Sequence, residues 1–365
     1  METLQPAGQQ YAGQEEEQPI RVLVVDDSAF MRLTISRRME ASPYLQVVGT
    51  AKDGEEALAM IPELQPDVVT LDVEMPRLNG LDTLRQIMKR FPRPVVMLSS
   101  LTVEGARETV QALTWGAVDF VTKPTNKANI EAVMDEVIAK IRRAARARVQ
   151  PLPASLVEPA ASANPAPRQR PARSPSPAKR VVVIGCSTGG PRALSQIIPR
   201  LPASLPAALL IVQHMPPGFT RSLAERLDAE SQISVKEAAP GDSLKNGCAL
   251  LAPGGYHMTL DSSLRVALNQ NPPVHGVRPA VDVTLASVAQ RFGSNTVGVI
   301  LTGMGRDGAN GSRLIRLAGG TVLAEDESTC VVWGMPRSVV ETGAANREVP
   351  LGEMAQAIQQ VLAGG

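Results

Sequence analysis

The sequence predicts an α/β protein built from two doubly wound domains. Two observations carry that prediction. Short apolar runs alternate with amphipathic helical patterns in both halves of the chain, and such alternation implies parallel sheets. Between the halves, residues 149–178 are dominated by Pro, Ala, Ser and Arg and hold too few large apolar side chains to build a core. A length of 365 residues accommodates two domains of ordinary size.

In the first half, strands are predicted at Ile20–Val25, Gln46–Ala51, Asp67–Leu71, Pro94–Leu98 and Val118–Val121. Amphipathic stretches such as Glu55–Leu64 and Leu81–Arg90 lie between them. The result is a parallel five-stranded sheet with helices on both faces. Its last helix ends in a basic run, Lys140, Arg142, Arg143, Arg146 and Arg148, read as a solvated face. In the second half, strands are predicted at Arg180–Ile184, Ala207–Val212, Cys248–Leu251 and Thr296–Leu301. Helices are expected at Arg192–Pro199, Thr220–Ala229, Val281–Arg291 and Ala309–Leu317, giving a second α/β domain with a mostly parallel sheet. The plan is a disordered Gln- and Glu-rich tail over 1–18, a first domain over 19–148, a linker over 149–178 and a second domain over 179–365.

Composition narrows the function. A formal net charge of +1 argues against a dedicated nucleic-acid binder. The hydrophobic fraction of 44% lets either half fold without metals or disulfides. The three cysteines, Cys186, Cys248 and Cys330, form no C-x-x-C pair, and their odd number suits a reducing compartment. No apolar run approaches the roughly 20 residues that span a bilayer, and the start lacks the pattern of a signal peptide. A cytoplasmic setting is expected.

The first chemical constellation falls at the carboxyl ends of the first domain's strands, where doubly wound folds collect ligands. Asp26 and Asp27 close the first strand, Asp72 the third, Ser99 the fourth and Lys123 the fifth. Crowded carboxylates repel one another, and a bound Mg²⁺ with hard oxygen ligands answers that problem. Asp72 would attack a phosphoryl donor, while the metal and Lys123 neutralise the transferring group and the Ser99 hydroxyl bonds one of its oxygens. These residues, in LDVEMPRLNG, VVMLSS and VTKP, resemble the flavodoxin-like receiver domain of response regulators over roughly residues 19–145. The resemblance implies that a histidine kinase phosphorylates Asp72. It implies that Glu74 offers the metal its backbone carbonyl, and that Phe120 is the switch aromatic.

The second constellation begins with VVVIGCSTGGPRAL, which reads strand, sharp turn, helix and contains G-x-S-x-G at Gly185–Gly189. A tight turn there holds the Ser187 hydroxyl clear of the backbone, although a phosphate-binding turn reads almost the same. Three histidines compete as base: His214, His257 and His275. His214 leads because it follows the apolar run AALLIVQ and shares the sheet edge with Ser187. Asp307, in the glycine-rich loop after TVGVIL, supplies an orienting carboxylate. GMGRDG in that loop also matches a dinucleotide fingerprint, with Glu325 and Asp326 about 20 residues on.

GCSTGG, QHMPPGFT, APGGYHM, RPAVDV, LTGMGRDGANG and WGMP resemble the chemotaxis protein-glutamate methylesterase (CheB) family over almost all of residues 180–360. The resemblance carries that family's triad onto Ser187, His214 and Asp307. It implies demethylation of glutamate methyl esters on methyl-accepting chemotaxis receptors, deamidation of receptor glutamines, and a kinase of the CheA type as phosphodonor. The implied contact with the membrane is through receptors alone. No cofactor is expected in the second domain. Met304 is a backbone candidate for the oxyanion. The unphosphorylated first domain is implied to pack over the hydrolase cleft. Cys186 departs from the commoner Ala and reads as a small packed residue, with thiol catalysis as the alternative. A DNA-binding output finds no helix-turn-helix or basic face, and a dead hydrolase used for interaction is opposed by the retained triad.

Overall fold

The structure, a computed structural model, describes residues 18–124, 130–149 and 176–364. The expected tail over 1–18 and linker over 149–178 therefore lie almost wholly outside the described residues. At the edges of the linker, the Arg148 amide donates to Val331 and the Ala178 amide to Leu244, both on the second domain.

The first domain runs β1 (Ile20–Val25), α1 (Ala29–Glu40), β2 (Leu45–Ala51), α2 (Gly54–Leu64), β3 (Val68–Asp72), α3 (Gly80–Arg90), β4 (Val95–Ser99), α4 (Val103–Thr114), β5 (Asp119–Thr122) and α5 (Ile130–Ala144). All pairings are parallel, in the order β2-β1-β3-β4-β5. Side chains fix where α1 to α4 begin: Ser28, Asp53, Asn79 and Thr102 each accept a hydrogen bond from a first-turn amide. The order reverses beside β1, so the ends of β1 and β3 bring Asp26 and Asp72 to one crevice.

The second domain begins with β6 (Val181–Cys186), α6 (Gly190–Ile197), β7 (Ala208–Gln213), α7 (Phe219–Glu230), β8 (Ser234–Glu237) and β9 (Cys248–Leu251). A separate antiparallel hairpin follows, β10 (His257–Leu260) and β11 (Val266–Asn269). The rest is α8 (Val281–Phe292), β12 (Thr296–Ile300), α9 (Ala309–Leu317), β13 (Thr321–Glu325), α10 (Met335–Glu341), β14 (Arg347–Val349) and α11 (Leu351–Ala363). The seven-stranded sheet is ordered β14-β13-β12-β6-β7-β9-β8, and every pairing is parallel. β6 lies between β7 and β12, so the loops leaving these three strands converge at one end. Here α6, α7 and α9 start at glycines with positive φ, Gly189, Gly218 and Gly308, without a side-chain cap. Their first amides are left for other partners.

The two domains share a core. One apolar cluster runs from Leu113, Ala117 and Phe120 of the first domain into Leu194, Phe219 and Leu223 of the second. The Phe120 and Phe219 rings meet with centroids 4.5 Å apart. Exposed ion pairs rim the contact, Arg107–Glu225 at 3.3 Å and Arg148–Glu327 at 2.9 Å. Such pairs contribute at most about 1 kcal/mol, so apolar burial holds the domains together. No helix among the described residues is long and apolar enough to cross a membrane.

Candidate active site and phosphoacceptor site

Ser187 follows β6, His214 follows β7 and Asp307 lies in the loop after β12. The left-handed Gly189 (φ 80°) turns the chain directly into α6. The Ser187 amide donates to Thr302 O at 3.0 Å, which ties the nucleophile turn to β12. His214 Nε2 donates to Asp307 Oδ2 at 2.7 Å, so Nδ1 is the nitrogen left for the serine. Asp307 is buried and also accepts the amides of Val281 and Asp282 at 2.7 and 2.8 Å, both at the start of α8. Burial opposes its charge, but the His214 contact and the two amides outweigh burial and hold the carboxyl below its ordinary range. Ser187 and His214 line one cavity of 340 Å³. Among the described residues, no hydrogen bond joins the Ser187 hydroxyl to the ring. Catalytic contacts of this kind commonly tighten only with substrate present.

The competing histidines have other work. His257 is buried, accepts the Ala280 amide on Nδ1 at 3.2 Å and donates from Nε2 to Pro272 O at 3.1 Å. Both its nitrogens are used. His275 meets Asp282 at 2.8 Å, and Asp282 also accepts the amides of Gly308 and Gly311 at 3.0 and 2.7 Å. That last contact removes the dinucleotide alternative. The loop amides that a pyrophosphate needs already serve Asp282, Asp307 faces His214, and Glu325 is fully buried on the Thr302 amide at 2.8 Å. The thiol alternative also falls. Cys186 is fully buried, and burial with Glu325 nearby pushes its thiol far above the usual range. Met304 stands half exposed on the wall of a separate cleft of 1120 Å³, two residues beyond the Thr302 carbonyl that holds Ser187.

The first domain closes over Ser187 and His214. Asp119, Phe120, Glu136, Lys140 and Arg143 line the Ser187 cavity from the opposite side. Asp119 accepts a hydrogen bond from the Thr188 hydroxyl at 3.2 Å, beside Ser187. Lys140 is paired with Asp119 at 3.2 Å and Glu136 at 2.9 Å and also donates to the Phe120 carbonyl. Of the basic run read as solvated, Lys140, Arg143 and Arg148 therefore face the second domain. Neither Asp119–Thr188 nor Phe120–Phe219 is visible in the sequence, because each joins side chains of different domains.

At the other crevice, carboxylate oxygens of Asp26, Asp27 and Asp72 lie within 4.8 Å of one another. Lys123 Nζ reaches Asp72 at 2.6 Å and Asp26 at 2.9 Å. Burial pushes the Asp72 carboxyl up to about 7, with Lys123 working against the rise and Asp26 adding to it. Burial opposes the Lys123 charge, but the two aspartates outweigh it and raise its pKa. A set of hard oxygen donors in surplus charge fits a divalent cation. Ser99 is turned the other way: its hydroxyl donates to Gly105 O at 3.2 Å and accepts from Thr109 at 2.6 Å. The Glu74 side chain accepts from Ser100 at 2.7 Å.

Fold and site together define a two-domain response regulator whose second domain carries a Ser–His–Asp constellation. Residues 22–135 match the response regulator receiver domain family, and residues 182–358 match the CheB methylesterase family. A protein-glutamate methylesterase/protein-glutamine glutaminase of Symbiobacterium thermophilum is 56% identical over 358 residues, covering 96% of this chain and 99% of its own. One from Pyrococcus abyssi is 48% identical over 362 residues, covering 95% of each chain. The crystal structure of the Thermotoga maritima CheB methylesterase catalytic domain is 48% identical, covers 50% of this chain and 98% of that one, and has a TM-score of 0.49. The chain belongs to the CheB methylesterase family, with a receiver domain ahead of the methylesterase domain.

Proposed function

We propose that this chain hydrolyses glutamate methyl esters on methyl-accepting chemotaxis receptors to glutamate and methanol, under control of phosphorylation at Asp72. The observation that carries the reading is the His214–Asp307 pair, whose His214 lines one cavity with Ser187 beneath the receiver. His214 Nδ1 takes the Ser187 proton as Oγ attacks the ester carbonyl. Backbone amides of the turn after Ser187, and that of Met304, receive the negative oxygen. His214 returns the proton to the leaving methoxide, and methanol departs. Water, deprotonated by His214, then releases the glutamate. With a glutamine side chain the same steps expel ammonia, which is the deamidase activity named for the relatives.

Regulation follows from the closed arrangement. A cavity of 340 Å³ between the domains is far too small to admit a receptor helix. A histidine kinase of the CheA type would supply the phosphoryl group. Mg²⁺, held by Asp26, Asp27, Asp72 and the Glu74 carbonyl, would neutralise charge on that group. Lys123 would assist, and Ser99 would swing from α4 to the phosphoryl oxygen. Phe120, packed on Phe219, then lies on the path from phosphorylation to opening, a shift in population rather than new chemistry. The proposed setting is cytoplasmic, with membrane contact only through receptors. Three free cysteines accord with a reducing compartment.

Methanol release from methylated receptor membranes tests the reaction. Wild type should release methanol, and Ser187→Ala should not. Release by Ser187→Ala near the wild-type rate would eliminate Ser187 as nucleophile.

A further inference from the structure

Gln213 is the last residue of β7 and directly precedes the base. It pairs in register with Cys186, the residue before the nucleophile. Its side chain is buried at the edge of the Ser187 cavity, and it is not one of Ser187, His214 and Asp307. Nε2 donates to Ser187 O and to His214 O, both at 3.0 Å. Oε1 accepts from Cys186 Sγ at 3.1 Å. One carboxamide thus spans the main chain of nucleophile and base, and a thiol fixes which way it points. The thiol donates only while it keeps its proton, which burial at Cys186 ensures. Gly190 makes room for the bridge: a Cβ there would stand 1.9 Å from Gln213 Oε1.

We propose that Gln213 is a positioning residue that sets the distance between Ser187 and His214, and that Cys186 orients its amide. This rests on the reading of Ser187 as nucleophile. Ser187 and His214 are carried by separate loops, joined here by the His214 amide donating to Cys186 O at 3.1 Å. The two Nε2 bonds fix the remaining freedom between those loops. They also hold the His214 carbonyl, so that the ring on the same residue is set for both Asp307 and Ser187. A misplacement of about 1 Å between reacting groups costs on the order of 10² in rate.

The test is inactivation of the full chain by a serine-directed sulfonyl fluoride, which needs no receptor. Gln213→Met keeps the length and loses both donors. Its inactivation rate constant should fall on the order of 100-fold with unchanged reagent affinity and an intact melting transition. Cys186→Ala loses the orienting donor and should slow by a few-fold, whereas Cys186→Ser keeps a hydroxyl donor and should stay close to wild type. Should Gln213→Met fail to fold, the Cys186 pair still decides. A folded Gln213→Met that reacts at the wild-type rate, or Cys186→Ala equal to Cys186→Ser and to wild type, overturns the proposal. A wild type inert to the reagent both without and with a small phosphodonor plus Mg²⁺ overturns the nucleophile reading, and the role of Gln213 with it.

Discussion

Asp72 and Asp307 are both buried aspartates at the carboxyl end of a parallel sheet, and they are held in opposite ways. Asp307 receives a histidine N–H and two amides, and its carboxyl is held below the ordinary range. Asp72 has one lysine, shared with Asp26, and one long contact from the Glu74 amide at 3.3 Å, and burial leaves its carboxyl raised to about 7. The difference lies in the donors supplied, not in the depth of burial. A carboxylate that must stay put is given every partner it can use. On the proposed reading, in which Asp72 takes a phosphoryl group with a metal beside it, that carboxylate is left under-satisfied. The same contrast runs through the helix starts, capped by side chains in the receiver and by glycines around the triad.

The largest expected effect is at Asp307. Asp307→Asn should lower kcat about 10⁴-fold, because the histidine loses its tautomer-fixing charge. Steady-state methanol release checks this, and a loss under tenfold would break the contrast. Next comes the receiver contact. Phe120→Ala removes an aromatic pair worth about 0.5–1.5 kcal/mol beyond its area, so basal activity without phosphodonor should rise about 3- to 10-fold. The two aspartates should also give opposite pH slopes in metal-free denaturation. A raised folded pKa stabilises below the unfolded value of about 3.9 and is lost as pH climbs towards 7, which describes Asp72. A depressed one stabilises above that value and is lost as pH falls, which describes Asp307. Asp72→Asn should therefore make the metal-free chain about 1–2 kcal/mol more stable at pH 8 while changing little at pH 4. Equal gains at both would contradict the under-satisfied state. The smallest effect belongs to Arg107→Ala, an exposed pair, which should alter basal activity by less than about twofold.

The convergence of Ser187, His214 and Asp307 was legible because they follow strands, and strand ends in an α/β sheet share one edge. Ser187, His214 and Asp307 fall there even though the chain separates them widely. The crevice that gathers Asp26, Asp72 and Lys123 was legible for the same reason, whereas the Ser99 hydroxyl turns to Gly105 and Thr109. The edge strands β8 and β14, SVKE and REV, were not predicted: they are short and polar, and only the sheet makes them strands. The β10–β11 hairpin, β13, α10 and α11 were also left unassigned. Gln213, Thr188 and the His275–Asp282 pair carry no sequence signal of their own. Their roles are set by side-chain contacts across elements, which residue spacing does not encode. Gln213 did stand in QHMPPGFT, next to the histidine, but nothing in that string says that its amide reaches back to Ser187.

On the proposed reading, the receiver holds the hydrolase shut and phosphorylation of Asp72 opens it. The direct measurement is methanol release from methylated receptor membranes, with and without a small phosphodonor plus Mg²⁺, for wild type, Asp72→Ala and Phe120→Ala. Phosphodonor should accelerate wild type, Asp72→Ala should stay at the basal rate, and Phe120→Ala should start high and gain less. Equal stimulation of wild type and Asp72→Ala, or a basal rate unchanged by Phe120→Ala, would contradict it.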